Sequence, residues 1–413
     1  MIDEKVLKNT AWNSIGMTVY FACQWLITLI VVWLSDDFTN NGYLGLAMTV
    51  TNFIYVVAAY NNRSFQVSDI RGEYNDSEFV VARGISCAAS VVISVAFVLI
   101  VDFTAMQRAV ILCYTLFRVN EAFIDVLHGI DQKSWRMDFI GISMIIRGIV
   151  MLAAFTLLLW AFGLLYAIIG MFVSTFLVNI LFDVQKTKKL ANFTAYAMDK
   201  VFSILKRCFP LMMVLLISTT IATFARISIE RVYGTEALGI YSAASNLPML
   251  LQVSISFLFA PMINLLAEAL KDADKKRFTL LFMGTFAIIG VITLIFTVGS
   301  HFFGQWALGL LFGEEIVPYS DLMTYASIVA GVTASVWFLN VVFSAIRDMK
   351  GILVCVIIGM VICFAASDLL LREYGLQGAN YVMIISQGAA ALCALVRFLW
   401  VMKRRAHEYF IHM

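Results

Sequence analysis

Charged residues and proline are scarce in this chain, and long polar intervals are missing. Only 14% of the 413 residues are Asp, Glu, Lys or Arg, and only 4 are proline. No polar interval exceeds roughly 25 residues, whereas an independently folding soluble domain needs about 50 or more. The sequence therefore predicts no soluble domain, and the function has to reside in the apolar part of the chain.

Signatures of the common enzyme classes are also missing. The histidines are His128, His301, His407 and His412, and their spacing matches no metal site. The chain has no glycine-rich phosphate loop, no nucleophile elbow and no CxxC pair. Its seven cysteines fall within apolar stretches, where cysteine is a small packing residue. We therefore expect a protein that is not an enzyme, holds no cofactor or metal, forms no disulfide and binds no nucleic acid.

Apolar residues are abundant instead. They make up 62% of the chain and recur in runs of about 20, the length that crosses a bilayer as an α-helix. This pattern predicts an all-α polytopic membrane protein. Hydropathy places about twelve spans, near residues 10–34, 42–60, 80–101, 104–127, 139–160, 163–183, 208–229, 240–263, 278–300, 320–345, 351–370 and 376–398.

The spans divide into two halves of six around a basic stretch. Most lysines and arginines lie in that stretch, in alternate loops and at the chain ends, so the positive-inside rule predicts that both termini are cytoplasmic. Shifting the first half by about 197 residues lays spans one to three onto spans seven to nine, as expected for parallel repeats that open alternately. We expect two six-helix lobes related by pseudo-twofold symmetry. The expected divisions are 1–183 (first lobe), 184–207 (linker), 208–398 (second lobe) and 399–413 (basic tail).

Two segments are expected to depart from simple spanning helices. The outer loop of residues 301–319 is aromatic and amphipathic, which favours a helix lying in the membrane interface. Pro248 falls in the middle of span eight and Pro261 at its end. Because each proline removes a backbone donor, we expect a kink or hinge there.

Four ionisable residues fall within spans four and five. Arg118, Glu121 and Asp125 share one helix face, because their spacing confines them to a stripe about 60° wide. Arg147 lies at a comparable depth, about 12 Å along the next helix from the intervening turn. Ionisable groups are costly in hydrocarbon, so we expect either an ion-pair network between the helices or direct contact with substrate or a coupling ion. Glu121 is the candidate for proton coupling because it lies deeper than Asp125.

Other polar residues are candidates with two interpretations each. Arg226 lies about one turn below the outer end of span seven, where it faces either the headgroups or a wet cavity. Arg63 follows span two and is either an ordinary cytoplasmic cation or a substrate contact. Uncharged polar residues within spans either hydrogen-bond between helices or line a hydrated cleft; they are Asn13, Gln24, Asn52, Asn246, Gln252, Asn340 and Gln387.

Motifs in both halves of the chain resemble a known family. In the first half they are Arg63 with residues 66–69, residues 82–84, residues 128–133 and 136–138, Ile140, Gly141, Ser143 and Arg147. In the second half they lie within residues 226–241 and at Pro248 and Pro261. In order and spacing they are similar to the polysaccharide-transport branch of the multidrug, oligosaccharidyl-lipid and polysaccharide exporter superfamily.

The resemblance implies a twelve-helix, two-lobed, MATE-like flippase of the bacterial cytoplasmic membrane. Such a protein moves an undecaprenyl-diphosphate-linked oligosaccharide repeat unit to the outer leaflet, in exchange for a proton or sodium ion. Membrane lipids and other polysaccharide-assembly proteins are the implied partners. The arginine cluster that the lipid II branch carries on its first two helices is not matched, since span one has no arginine. We therefore select Arg226, Arg63 and Arg147 as phosphate-facing, Asn52 and Asn246 as cleft-lining, and Glu121 for coupling.

Three alternatives stay open. A cation-coupled drug exporter of the same superfamily should prefer acidic and aromatic linings to arginine. A membrane-embedded polysaccharide polymerase would be expected to have a large outer loop, and an acyltransferase a membrane histidine; this sequence has neither. A non-transporting scaffold is disfavoured by the ionisable residues within the spans.

Overall fold

The computed structural model is built of long helices and describes residues 4–404, apart from residues 36, 70, 71, 257–261, 263, 264, 267, 271, 273 and 347. No β-strand occurs in the part of the chain that is described. The chain divides into two compact units, Met1–Leu216 and Ile217–Met413. The boundary falls inside a helix rather than in the predicted linker.

The first unit holds nine helices or parts of helices among its described residues. They are α1 (Glu4–Trp33), α2 (Thr39–Ala59), α3 (Asn62–Ser68), α4 (Asp76–Ile100), α5 (Ala105–Lys133), α6 (Met137–Phe162), α7 (Leu164–Val178), α8 (Val184–Thr187) and the first part of α9 (Met198–Ala244). A π-helical segment, Asn179–Asp183, links α7 to α8. In the second unit, α9 is followed by α10 (Asn246–Ser256), α11 (Lys275–Phe312), a 3₁₀ turn (Glu314–Tyr319), α12 (Ser320–Ala345), α13 (Met349–Tyr374) and α14 (Gln377–Arg404).

The helices have the length and surface of membrane spans. Among the described residues, 10 helical segments are long and apolar enough to cross a bilayer. Large apolar side chains such as Leu157, Trp160 and Leu294 are exposed, which suits a lipid-facing surface. The helix α5 is 29 residues long, or about 44 Å, but charged residues interrupt its apolar sequence. The predicted all-α polytopic membrane protein is therefore confirmed, and each predicted span overlaps a helix.

The start of α9 belongs to the first unit, although residues 184–207 were predicted to be a linker and the first lobe to end at residue 183. Val201, Ile204 and Cys208 of α9 are buried in one apolar cluster with Phe79 of α4 and Val126 of α5. This packing buries one apolar side of the start of α9, and the compact unit extends to Leu216.

Two glycines bring α1 and α6 into close contact. A Cβ atom added to Gly16 would overlap the backbone of Gly141, and one added to Gly141 would overlap the carbonyl oxygen of Trp12. Small residues permit such close backbone approach between membrane helices. This contact holds α6, and with it Arg147, against α1.

A tight turn between α2 and α3 directs α3 towards α5, against which it packs. Tyr60 and Asn61, which connect α2 to α3, both adopt left-handed backbone angles, with φ of 50° and 51°. The next helical turn then places Arg63 beside α5 and packs Gln66 against Gly129 of that helix. The predicted loop after span two is thus partly helical.

The predicted interfacial helix at residues 301–319 is wrong as a separate element. Helix α11 continues through this stretch and covers 38 residues, Lys275–Phe312, or about 57 Å. The first residue to leave the helical conformation is Gly313, with φ of 89° and ψ of 173°, a conformation essentially restricted to glycine. The aromatic residues therefore extend a spanning helix.

The structure has helix breaks near the predicted kink. Helix α9 contains one at Gly234, where φ is 84°, and it ends at Ala244, two residues before α10 begins. Pro248 lies in the first turn of α10, where a missing backbone N–H costs little because such groups lack a helical partner. Pro261, the second predicted kink, lies outside the described residues.

Candidate functional site

Helix α5 carries a line of ionisable residues along its length. Arg118, Glu121, Asp125, His128 and Asp131 follow one another at intervals of three or four residues, so they lie along one side of the helix. Helices α1, α2, α3, α4, α6 and α8, together with the π-helical segment, supply their partners. Four of the five residues belong to three separate groups, and Arg118 stands apart from them.

Glu121 is held by two side chains. Arg147 Nη1 of α6 forms an ion pair with Glu121 Oε1 at 2.7 Å, and the Tyr20 hydroxyl of α1 donates to Glu121 Oε2 at 2.5 Å. Gln24 Nε2 in turn donates to the Tyr20 oxygen at 3.1 Å. The side chains of Arg147 and Glu121 are only 3% and 9% exposed. Glu121 and Arg147 therefore form the ion pair predicted between α5 and α6. Together with Tyr20 they connect three helices inside the first unit.

Asp125 belongs to a different group. Its Oδ1 accepts from Arg63 Nη1 at 3.0 Å and its Oδ2 from Arg83 Nη2 at 2.9 Å. Arg83 is fully buried and also donates to the Ala58 carbonyl oxygen at 3.3 Å. Arg63 is 28% exposed and donates through Nε and Nη2 to Gln132 Oε1. Asp125 thus ties the end of α2, α3 and α4 to α5.

Arg83 was not among the site residues predicted from the sequence, although it lies inside the predicted span 80–101. A charged residue within a span calls for a partner, and that signal points to Arg83. Its partner, Asp125, was predicted either to join an ion-pair network between α5 and α6 or to contact substrate or a coupling ion. The first interpretation is wrong for Asp125, because its partners Arg63 and Arg83 come from α3 and α4.

Arg118 also departs from the predicted network. Its guanidinium lies 4.1 Å from the centre of the Tyr55 ring, and its Nη2 donates to Asn52 Oδ1 at 3.4 Å. Among the described residues no carboxylate pairs with it, and its Nε is buried without a hydrogen-bond partner. Because the side chain reaches α2 rather than α6, the partners of the Arg118 cation within the described chain are an aromatic ring and an amide.

The second unit contains a comparable arginine. The Arg226 guanidinium lies 6.0 Å from the centre of the Tyr241 ring, and no carboxylate of the described chain pairs with it. Its neighbour Arg231, by contrast, pairs with Asp368 at 3.0 Å on the exposed surface. Asn246, also selected from the sequence, is buried at the start of α10.

The third group lies at the end of α5. His128 Nε2 is 3.3 Å from Asp183 Oδ1 of the π-helical segment, and the Thr187 hydroxyl donates to Asp131 Oδ1 at 3.0 Å. His128, Asp131 and Asp183 are 2%, 1% and 2% exposed. These residues were not predicted as a site, because residues 128–138 were expected to be a loop and a linker was expected from residue 184.

Comparisons with known proteins give the family and the fold. Residues 7–267 match the family described as polysaccharide biosynthesis protein. The capsular polysaccharide biosynthesis protein CapF of Staphylococcus aureus is 25% identical over 423 residues, which cover 97% of this chain and 100% of CapF.

Two solved structures are similar over nearly the whole chain. The lipid II flippase MurJ, in an inward closed conformation, has a TM-score of 0.71 at 14% identity and covers 94% of this chain and 87% of MurJ. A multidrug resistance MATE family transporter of the MOP superfamily, in an inward-facing conformation, has a TM-score of 0.70 at 14% identity, with 95% and 98% coverage. At such identities the likeness shows the fold, which is the MATE-like fold predicted from the sequence.

Proposed function

Because this chain belongs to the polysaccharide biosynthesis protein family, we propose that it is a flippase for lipid-linked oligosaccharides used in cell-surface polysaccharide synthesis. It moves an undecaprenyl-diphosphate-linked repeat unit from the cytoplasmic to the outer leaflet of a bacterial cytoplasmic membrane by alternating access. Both termini are cytoplasmic, and a proton or sodium ion drives the exchange. The family description, the name of CapF and a fold shared with a flippase and a transporter support this proposal.

The substrate class is argued from the arginines. A diphosphate with attached sugars cannot cross hydrocarbon unaided, and guanidinium is the side-chain group best suited to bind phosphate oxygens. Arg118 carries the proposal, since Tyr55 and Asn52 hold it and no carboxylate of the described chain neutralises it. We propose that Arg118 contacts the diphosphate in the first unit and that Arg226 is the corresponding contact in the second.

The other predicted phosphate contacts receive a different role. Arg147 is paired with Glu121, and Arg63 with Asp125 and Gln132. We propose that these two arginines hold helices together and that Glu121 stays ion-paired rather than acting in coupling. Asn52 supports Arg118, and Asn246 remains a proposed cleft residue.

A drug exporter is the second candidate function, because the fold is shared with a multidrug transporter. An arginine without a carboxylate partner repels a cationic drug and attracts an anion, so the site favours the flippase. A polymerase or acyltransferase is disfavoured by the fold, which is that of solved transport proteins.

The test is flipping by the purified protein in proteoliposomes that contain a fluorescent undecaprenyl-diphosphate oligosaccharide. Arg118→Ala should slow flipping by about tenfold or more, the loss expected for a hydrogen bond to a charged group. Arg118→Lys should be intermediate, because lysine keeps the charge but loses the fork of donors. The matched control is Arg231→Ala, which removes an exposed arginine and should flip like the wild type.

Two results would overturn the proposal. Wild-type protein that exports a cationic dye but leaves the lipid-linked sugar in place is a drug exporter. If the Arg118→Ala protein flips the substrate at the wild-type rate, Arg118 does not bind the phosphate. A reporter active only in the cytoplasm, fused to the C-terminus, tests the orientation.

A further inference from the structure

Three titratable side chains are buried together where α5 ends, and the proposed transport of a diphosphate uses none of them. They are the imidazole of His128 and the carboxylates of Asp131 and Asp183. His128 and Asp183 are in contact at 3.3 Å, and Asp131 lies one turn further along α5, held by Thr187 of α8. Burying three such groups is costly, and apolar residues would join these helices at lower cost.

The backbone is specially shaped to bring Asp183 to this place. Residues Asn179–Asp183 form a π-helical turn, a rare conformation that occurs mostly at functional sites. Asn179 Nδ2, at its start, donates to Asn120 Oδ1 of α5 at 3.0 Å. The widened turn therefore faces α5 at both ends and presents Asp183 to His128.

One carboxylate oxygen in the group lacks a well-formed hydrogen bond within the described part of the chain. Asp183 Oδ2 is buried and accepts none of good geometry there, and the Ser143 hydroxyl of α6 lies near this carboxylate. A buried acceptor left unpaired costs the desolvation of that group. A proton on Asp183 would remove its negative charge and so reduce this cost.

Among the described residues, no cation that faces the group is free to compensate its two carboxylates, because each such cation is already paired. The groups that face it are Asp138, Ser143 and Arg147 of α6, Arg63 of α3 and Thr187 of α8. Both arginines are already paired, Arg147 with Glu121 and Arg63 with Asp125. With both carboxylates ionised, the group carries a formal charge of minus two if the imidazole is neutral and minus one if it is protonated. In either case one further proton reduces the uncompensated negative charge.

We propose that His128, Asp131 and Asp183 form a proton-binding site that fastens the end of α5 to the π-helical segment and α8. Gaining the proton removes an uncompensated charge and closes this contact, and losing it loosens the contact. The next step of the inference rests on the proposed function. Proton binding at this end of α5 couples substrate movement to the pH on the side of the membrane where α5 ends.

The first experiment reads protonation without transport. Infrared difference spectra of the full-length protein in lipid nanodiscs, recorded between about pH 5 and pH 8, should show a buried carboxylic acid that loses its proton in this range. The signal should disappear in Asp131→Asn or in Asp183→Asn. It should persist in the matched control Asp102→Asn, which changes a fully exposed aspartate. Absence of the signal from the wild type, or its persistence in both site variants, overturns the proposal.

A second measurement covers the case in which the site variants do not fold. Nitrogen-15-labelled histidine in the wild-type protein gives separate ring signals, and His128→Gln or His301→Gln identifies them. The midpoint of the His128 titration should lie about one pH unit or more from the ordinary histidine value of about 6.5. A midpoint at the ordinary value overturns the proton site.

The coupling part is tested by the pH dependence of flipping in proteoliposomes. Wild-type flipping should change by about tenfold per pH unit of imposed gradient, and Asp131→Asn should abolish that dependence. Flipping that ignores pH in the wild type overturns the coupling. Complete absence of wild-type flipping at every pH overturns the proposed function instead, while the spectroscopic measurements decide the proton site.

Discussion

Arg147 Nη1 and Glu121 Oε1 are 2.7 Å apart, and both side chains are almost completely buried in the first unit. The pair connects α6 to α5, and the Tyr20 hydroxyl extends it to α1. A buried ion pair is costly to break from one side, because the remaining charge is left without compensation, whereas replacing both partners with apolar residues removes the charges together. Comparing the unfolding free energies of the single and double variants therefore tests whether the pair acts as a unit.

Removing either partner alone should destabilise the protein strongly. We expect Glu121→Ala and Arg147→Ala each to lower the free energy of unfolding by about 3–5 kcal/mol. The double replacement Glu121→Leu with Arg147→Met should cost less than either single change. Unfolding followed by tryptophan fluorescence in one detergent measures all three proteins.

An exposed pair provides the comparison. Arg231 and Asp368 are 69% and 49% exposed, so Arg231→Ala should cost at most about 1 kcal/mol. If the double variant at Glu121 and Arg147 instead loses the sum of the two single losses, the residues act independently and the ion pair does not join the helices.

The two arginines that share Asp125 should differ in their contribution to stability. Arg83 is fully buried and Arg63 is 28% exposed. Arg83→Ala should cost about 3–5 kcal/mol, because it removes the fully buried cation that pairs with Asp125 Oδ2. Arg63→Ala should cost about 1 kcal/mol, because water can replace a partly exposed donor. Chemical unfolding of both variants measures the difference, and equal losses would contradict the asymmetry of this cluster.

Most of the helices could be predicted from the sequence, because runs of about 20 apolar residues have few other structural solutions. The breaks between helices were harder to predict. Gly234 and Gly313 interrupt or end helices through their backbone angles, whereas hydropathy reports only where polarity rises. For that reason residues 301–319 were predicted to be an outer loop with an interfacial helix, although α11 continues to Phe312.

The site was predicted in part. The spacing of Glu121 and Arg147 along one hairpin indicated that they could meet, because both positions follow from helix geometry alone. The partners of Asp125 and Arg118 come from α2, α3 and α4, and helix periodicity does not say which neighbouring helix packs on a given face. The π-helical turn that presents Asp183 to His128 has no sequence signature of this kind.

The contact between α1 and α6 should depend on the absence of a side chain at Gly141. A Cβ atom there would overlap the Trp12 carbonyl oxygen, which is backbone and cannot rotate away. Gly141→Val should therefore separate the two helices and lower stability by about 1–3 kcal/mol, the usual cost of overpacking. Gly84→Val, at a helical glycine with open space around it, is the matched control and should be neutral or stabilise by a few tenths of a kcal/mol, because valine has a slightly better helix propensity than glycine. Thermal unfolding of the two variants, together with cross-linking between cysteines placed on α1 and α6, distinguishes separation of the helices from a general loss of stability.

The turn between α6 and α7 should require glycine for its backbone conformation alone. Gly163 has φ of 88° and ψ of −179°, a region open essentially only to glycine, and nothing lies within 4 Å of an added Cβ. Gly163→Ala should therefore cost about 1–3 kcal/mol without any steric clash. Gly284→Ala isolates this effect, because Gly284 also has open space around it but lies within the regular helix α11. There alanine should be neutral or stabilise by up to about 1 kcal/mol. Thermal unfolding in the same detergent compares the two, and equal behaviour would mean that the turn tolerates a side chain and does not depend on this conformation.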